Sequence, residues 1–208
     1  MSHFIGLVFV DQYNNYEEML EPFNEQNEDY YQFEDCTDEV TERWNTLPDL
    51  DAEPTSHPCD KAHYPTIQDL AKHWYGYRIV KDDDGNERYG YNHNPNAKWD
   101  WYSEGGRWNG YLPTKEGTRT DADLVSEIDW DKFIAEHNAP FCFVDTECEW
   151  HEKAEMGWWA QTWNEKEPAD WDKEFKDYVQ SLLNEDDRDE NGVPYADGCM
   201  VYAIDFHI

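Results

Sequence analysis

Apolar positions mark a buried strand near each end of the chain. Residues 3–10, "HFIGLVFV", and residues 199–208, "CMVYAIDFHI", are rich in β-branched and aromatic side chains, which is typical of strands in a sheet core. Between them, residues 170–183 place apolar side chains at i, i+4, i+7, i+8 and i+11. This spacing predicts an amphipathic helix. Its inner face is formed by Trp171, Phe175, Tyr178, Val179 and Leu182.

Shorter patterns predict three further helices. In "PTIQDLAKHWY" Thr66 and Asp69 form a capping signal, and a common inner face is formed by Ile67, Leu70, Ala71 and Trp74. The stretch "TDEVTERW" predicts a short helix with Thr37 as its N-cap. The stretch "DWDKFIAEHNAP" predicts a third helix, which Pro140 ends.

Turn residues between extended patterns predict two hairpins and another strand. One hairpin turns at residues 83–86, "DDGN", and the other near residues 145–147. Residues 157–163, "GWWAQTW", predict one strand. The pattern as a whole favours an α+β fold, a mostly antiparallel sheet with N- and C-terminal strands and a few short helices. We expect one domain, residues 1–208, in which residues 24–60 form an acidic, loop-rich segment.

Residues 94–112, "NPNAKWDWYSEGGRWNGYL", concentrate aromatic side chains beside a Gly-Gly pair. Trp99 and Trp101 are two residues apart, so on a strand they would share one face, with Asp100 on the other. Gly105-Gly106 predicts a turn, after which a second extended piece begins. We expect these rings to pack in the core. The alternative is a pocket that holds an anion and a planar group, formed by Trp99, Trp101, Arg107 and Trp158.

The charge of the chain changes this picture most. There are 48 Asp and Glu against 16 Lys and Arg, a formal net charge of −32. Residues 16–60 hold 15 acids and one base, and residues 165–190 hold 11 acids and 4 bases. Self-repulsion of this size destabilises a compact fold, so we expect either a feature that compensates for the charge or a function that uses it. The alternative is that the acids form a solvated surface that only keeps the protein soluble.

The sequence also indicates the compartment. It contains no apolar run near the ~20 residues of a membrane span and no basic segment before the first apolar stretch. Its five cysteines lack close pair spacing, so a disulfide framework is not expected. We therefore predict a protein of the cytoplasm that does not bind membranes.

Four features of the sequence are similar to a family of small, uncharacterised phage and prophage proteins. The first is the N-terminal apolar strand followed by an acidic PF/PY-x-E segment, residues 21–25. Residues 94–108 match a block written NPxAKWDWYxxGGRW, residues 149–159 match EWHEKxxMGWW, and Asp205-Phe206-His207 match a final D-x-H. The chain departs from the family where Gly often precedes the methionine, since it has Ala154-Glu155 there. The resemblance spans most of the chain. It implies a phage context and a compact domain, but no catalytic residues, because the family has no established chemistry.

Signals for catalysis or for a cofactor are weak. No serine lies in a G-x-S-x-G elbow, and no Gly-rich phosphate loop is present. Cys148 and His151 have a zinc-like spacing, but no second Cys-x-x-Cys accompanies them. Acidic pairs are too abundant to single out any two. We predict that the protein is not an enzyme and needs no metal or cofactor.

These observations favour an inhibitor that imitates the charge of nucleic acid. Small, very acidic phage proteins can oppose the nucleic-acid enzymes of the host in this way, so the expected partner is a basic, nucleic-acid-handling host protein of the CRISPR or restriction type. The inhibitor would not contact nucleic acid itself. The residues expected to bind the partner are Glu25, Glu28, Asp29, Glu34, Asp35, Asp38, Glu39, Asp186, Asp187, Asp189 and Glu190. The alternatives are a ligand-binding or enzymatic domain, or a phage structural or assembly protein.

Overall fold

The computed structural model describes residues 2–49, 59–137, 139–157, 161–184 and 192–208. In these ranges the chain has an α+β fold with mostly antiparallel sheets, which confirms the predicted fold class. The α-helices are α1 Tyr16–Leu20, α2 Thr37–Thr46, α3 Ile67–Asp69, α4 Trp130–His137, α5 Pro168–Leu182 and α6 Tyr195–Gly198. Short 3-10 helices lie at Glu21–Phe23, Glu28–Tyr30, Gly106–Trp108 and Val125–Glu127, and a π-helix lies at Leu70–Trp74. The strands are β1 His3–Val10, β2 Gln32–Asp35, β3 Arg78–Lys81, β4 Glu87–His93, β5 Trp101–Glu104, β6 Leu112–Pro113, β7 Arg119–Thr120, β8 Ala122–Leu124, β9 Cys142–Val144, β10 Trp150–Glu152, β11 Glu155–Gly157, β12 Gln161–Trp163 and β13 Met200–His207.

The chain packs as two compact units, which the sequence-based domain prediction did not separate. The first contains Met1–Asn27 and Asn96–Ile208, and the second contains Glu28–Pro95. Most of the acidic segment 24–60 belongs to the second unit. Its described part includes β2 and α2, so it is more regular than the loop-rich segment that we expected.

The first unit is built on a sheet with the strand order β10-β9-β1-β13-β5, and β8 also pairs with β13. β1 and β13 pair antiparallel along their whole length, from His3 opposite His207 to Val10 opposite Met200. β1 and β9 pair in parallel. The two terminal strands therefore lie inside the sheet, with a partner on each side, as their continuous apolar sequences predict.

The two faces of this sheet cover two separate cores. Alternate residues such as Leu7 and Val201 belong to one core, to which α4 and α5 contribute. Val8 and Phe206 belong to the other core, to which α1 contributes. The predicted inner face of α5 is confirmed: Tyr178 is half-buried, and its other members are buried, namely Trp171, Phe175, Val179 and Leu182.

The second unit combines the sheet β2-β4-β3 with α2 and the helical segment from α3 to Trp74. The predicted capping box of Thr66 and Asp69 is confirmed. The prediction that Trp74 faces inward is wrong, because its side chain is 40% exposed. The helix widens into a π-turn at Leu70–Trp74, where Tyr75 N–H donates to the Leu70 carbonyl, and this shifts Trp74 out of the helical face.

The prediction that Thr37 caps α2 is also wrong, because Thr37 is the first helical residue and Cys36 precedes it as the cap. The Thr37 N–H donates to Asp35 Oδ1 at 2.9 Å. The Thr37 hydroxyl accepts the N–H of Tyr89 at 2.9 Å. Asp35 therefore satisfies the helix end, and Thr37 connects the helix to β4.

The stretch 157–163 is not one continuous strand. Gly157 ends β11, and Gln161 begins β12, which pairs antiparallel with it. Residues 158–160 lie outside the described residues.

Candidate functional site

The acidic residues predicted to bind a partner are exposed wherever the structure describes them. Glu25 belongs to the first unit. Six others belong to the second unit, namely Glu28, Asp29, Glu34, Asp35, Asp38 and Glu39. The remaining four lie outside the described residues: Asp186, Asp187, Asp189 and Glu190. More than half of the predicted set therefore occurs on folded elements of a single unit.

Arg88 offsets part of this acidic group. Its guanidinium lies 2.8 Å from Asp82 and 3.8 Å from Asp35, and Asp38 also contributes to its electrostatic environment. Hydrogen bonds with Thr37 lower the pKa of Asp35. Asp35 is thus a fixed, ionised group that already has a cation beside it. Glu34 and Glu39 of the same unit instead lie beside aromatic rings.

Four neighbouring rings, of which the first three are stacked and the last is tilted, form a row in the second unit, and we call Tyr75, Tyr77, Tyr91 and His93 the aromatic ladder. The ring centroids of Tyr75 and Tyr77 are 5.0 Å apart, and those of Tyr77 and Tyr91 are 5.7 Å apart. The Tyr91 and His93 rings follow at 5.2 Å. Tyr91 is 40% exposed. The ladder therefore presents aromatic surface to solvent on a rigid scaffold.

Carboxylates flank the aromatic ladder on both sides. Glu34 pairs directly opposite Tyr91 in the sheet, and its Oε2 lies 3.7 Å from Nε2 of His93. At the other end, burial raises the pKa of Tyr75, and the Glu39 carboxylate raises it further. Gly90 permits the close approach of β2 and β4, because a Cβ there would lie 1.8 Å from the Glu34 carbonyl oxygen.

The Trp-Gly-Arg block of residues 94–112 does not form the pocket considered above. Trp99 is 5% exposed and packs edge-on to Tyr102 in one core. Trp101 is 44% exposed and stacks on His207 across the opposite face of the sheet. The prediction of a shared face is wrong because the chain bends at Asp100, and the alternation of β5 begins only at Trp101. Trp158 lies outside the described residues.

The Gly-Gly turn of this block positions a backbone amide. Gly105 and Gly106 have φ angles of 64° and 51°, and the chain continues as a 3-10 helix where we had predicted an extended piece. The N–H of Arg107 donates to Asp205 Oδ2 at 3.0 Å. The Arg107 side chain is exposed, so the part of Arg107 that the fold uses is its backbone.

Two histidine–carboxylate pairs lie at the polar end of the sheet face that also carries Leu7 and Val201. His3 Nδ1 is 2.8 Å from Asp205 Oδ1, and His207 Nδ1 is 2.5 Å from Asp100 Oδ1. Such pairs orient Nε2 in the way that acid–base histidines require. Among the described residues, Nε2 of His207 is buried and has no hydrogen-bond partner. Solvent does not reach this nitrogen, so the pair shows no open position for proton transfer to a bound molecule.

The sequence predicted neither the aromatic ladder nor the two histidine–carboxylate pairs. The alternation "YGY" before the first hairpin strand and "RYGYNH" in the second was a usable signal for the aromatic ladder, because period-two residues share a face. His3 and His207 could be paired only through the register of β1 and β13, which no local pattern contains.

Comparisons of the chain with protein-family models, curated proteins and solved structures found no match. The phage relationship expected from residues 94–108 and 149–159 therefore stays a prediction. Within the described ranges, no helix combines the length and the apolar character needed to cross a membrane.

Proposed function

We propose that this protein is an acidic inhibitor that binds a basic, nucleic-acid-handling protein of a phage host, such as a CRISPR or restriction effector. Its binding surface is the aromatic ladder together with Glu34 and Glu39. The inhibitor acts by occupying a surface that otherwise contacts phosphates, without catalysis. The inhibitor acts in the host cytoplasm.

One observation carries the proposal: the aromatic ladder, in which Tyr91 is exposed and the other three rings are half-buried, lies between carboxylates on β2 and α2. Glu34 lies beside Tyr91 and His93, and Glu39 lies close enough to Tyr75 to affect its ionisation. Aromatic residues at the centre of an interface supply most of its binding energy. A solvated acidic face that only maintains solubility does not need such an arrangement.

The chemistry of the ladder favours arginine as the residue it binds. A guanidinium can stack on a tyrosine ring while it donates hydrogen bonds to a carboxylate beside that ring. Surfaces that bind nucleic acid are rich in arginine and lysine. The ladder and its two acids therefore fit the kind of surface that nucleic-acid-handling proteins present.

The net charge supports the same partner. Duplex DNA carries one negative charge per ~1.7 Å of axis, and its partners gain affinity by neutralising these charges. A chain with a net charge of −32 is attracted to the same basic surfaces over distances of about a Debye length. Binding of the inhibitor and binding of nucleic acid should therefore exclude each other.

The test is capture of the partner from a host lysate at low salt. The immobilised chain is eluted once with a salt gradient and once with duplex DNA or RNA, and the eluted proteins are identified by mass spectrometry. We expect a stoichiometric, nucleic-acid-binding protein that both treatments release. An empty column, from a host that expresses its defence systems, contradicts the proposal.

A further inference from the structure

We propose that Asp145, Glu149 and His151, which we call the His151 triad, bind a divalent transition-metal ion. The triad lies on the loop between β9 and β10 and at the start of β10. One ligand atom from each side chain lies within 4.8 Å of the other two. This site is separate from the aromatic ladder and does not depend on the proposed function.

The His151 imidazole is held as a metal ligand would be. Its Nε2 lies 2.9 Å from Asp145 Oδ2, and its Nδ1 lies 3.5 Å from Glu174 Oε1 on α5. Phe143 stacks on the ring at a centroid distance of 4.5 Å and an angle of 9°. In metal sites a ligating histidine usually places its second nitrogen against a carboxylate, which fixes the ring and raises its basicity. Glu174 occupies this position from outside the triad.

Asp145 is fixed with one oxygen directed at the site. Its Oδ1 accepts the backbone N–H groups of Glu147 and Glu149 at 3.0 and 2.9 Å. Its Oδ2 is the atom that faces His151. The residue is 8% exposed, and a buried carboxylate favours a cation beside it. Asp145 can therefore act as a preformed monodentate ligand.

Glu149 completes the triad from the solvent side. Its side chain is exposed, so it can adjust its position when an ion binds. Bonds of about 2.0–2.2 Å in a tetrahedral site separate ligand atoms by roughly 3.4 Å. The Asp145–His151 distance of 2.9 Å lies slightly below that value, and the 4.8 Å limit lies above it. Binding of an ion therefore requires the Asp145–His151 contact to open by about 0.5 Å and the Glu149 side chain to move toward the site.

The surroundings of His151 are open to solvent, and the nearby Cys148 is not part of the site. A cleft of about 240 Å³ is lined by His151, Glu152 and Lys166 among other residues, and the triad itself is open to solvent at the exposed Glu149 side chain. The spacing of Cys148 from His151 resembles a zinc motif, but Cys148 packs against the core of the first unit that contains Val8 and Phe206. The expected ligand set is therefore one nitrogen and two oxygens, without sulfur.

This ligand set selects the class of metal. Imidazole favours zinc and neighbouring transition ions over magnesium and calcium, and a mixed histidine–carboxylate site of three ligands suits Zn²⁺, Co²⁺ or Mn²⁺. The high negative charge of the chain attracts every cation weakly. A specific site must therefore persist in the presence of excess Mg²⁺.

The test is isothermal titration of the tag-free full chain with Zn²⁺ in excess Mg²⁺, together with the absorption spectrum of the Co²⁺ form. We expect one site per chain, and Co²⁺ bands without a thiolate charge-transfer band. Glu149→Gln and His151→Gln should weaken binding by at least about 10-fold, and Glu174→Gln should weaken it by about 10- to 100-fold. Glu147→Gln and Cys148→Ser are the matched controls and should bind like the parent chain.

Glu149→Gln keeps the test decisive if His151→Gln affects folding, because the Glu149 side chain is exposed. Parent-like affinity in Glu149→Gln would overturn the proposal. So would loss of binding in Cys148→Ser, or several weak sites that Mg²⁺ displaces.

Discussion

Asp205 is a buried carboxylate of β13 whose neighbours lie on β1, on β5 and in the Gly-Gly turn. It is 2% exposed and accepts hydrogen bonds from the His3 ring and the Arg107 N–H. An ionised group at this depth requires such partners. The Gly-Gly turn brings the Arg107 amide to it, so the turn and the carboxylate depend on each other.

Gly106 should therefore be intolerant of any side chain. It has a φ of 51°, and a Cβ there would lie 2.4 Å from Asp205 Oδ2 and 2.6 Å from Ser103 Oγ. Gly106→Ala should lower the free energy of unfolding by about 1–2 kcal/mol from backbone strain, and by more from the overlap with Asp205. Urea denaturation of both proteins measures the difference.

Gly117→Ala is the matched control for this substitution. Gly117 has a φ of 86° but no heavy atom within 4 Å of the added carbon. It should show the backbone cost alone. Equal losses in the two variants would contradict the packing role assigned to Gly106.

Among the elements, those with continuous local patterns were predictable. The apolar runs of β1 and β13 and the helical spacing of α5 determine these elements locally, and the structure confirms them. Trp99 and Trp101 were not predictable, because the bend at Asp100 that puts them on opposite faces depends on contacts with distant strands. The shared face of Tyr91 and His93 could have been predicted from the alternation within β4. The position of Glu34 beside them required the pairing of β2 with β4, and that of Glu39 required the packing of α2.

The capping box at the start of α3, in the second unit, can be tested by mutation. Thr66 Oγ1 accepts the Asp69 N–H at 3.1 Å, and Asp69 Oδ2 accepts the Thr66 N–H at 3.1 Å. Thr66→Ala removes half of this capping box and should lower the free energy of unfolding by about 1 kcal/mol. Chemical denaturation measures the change. Thr46→Ala, at the C-terminal end of the neighbouring helix α2, is the control, and it should lose less.

For the whole molecule, we propose that the net charge of −32 selects which partners are attracted, and that local geometry selects which of them bind. Charge alone would attract any basic protein and would weaken with salt. The aromatic ladder adds rings at fixed positions between Glu34 and Glu39, and interfaces gain their specificity from such anchors. We therefore propose that the partner recognises this surface and does not respond to acidity in general.

The most direct measurement compares two variants of equal charge for binding to the captured partner. Glu34→Lys with Glu39→Lys reverses the acids beside the ladder, and Glu17→Lys with Glu18→Lys reverses two exposed acids of α1. We predict that the ladder variant loses about 3 kcal/mol of binding, roughly 100-fold in Kd, and that the α1 variant loses much less. Equal losses in both variants would show that only total charge matters and would contradict a binding surface at the aromatic ladder.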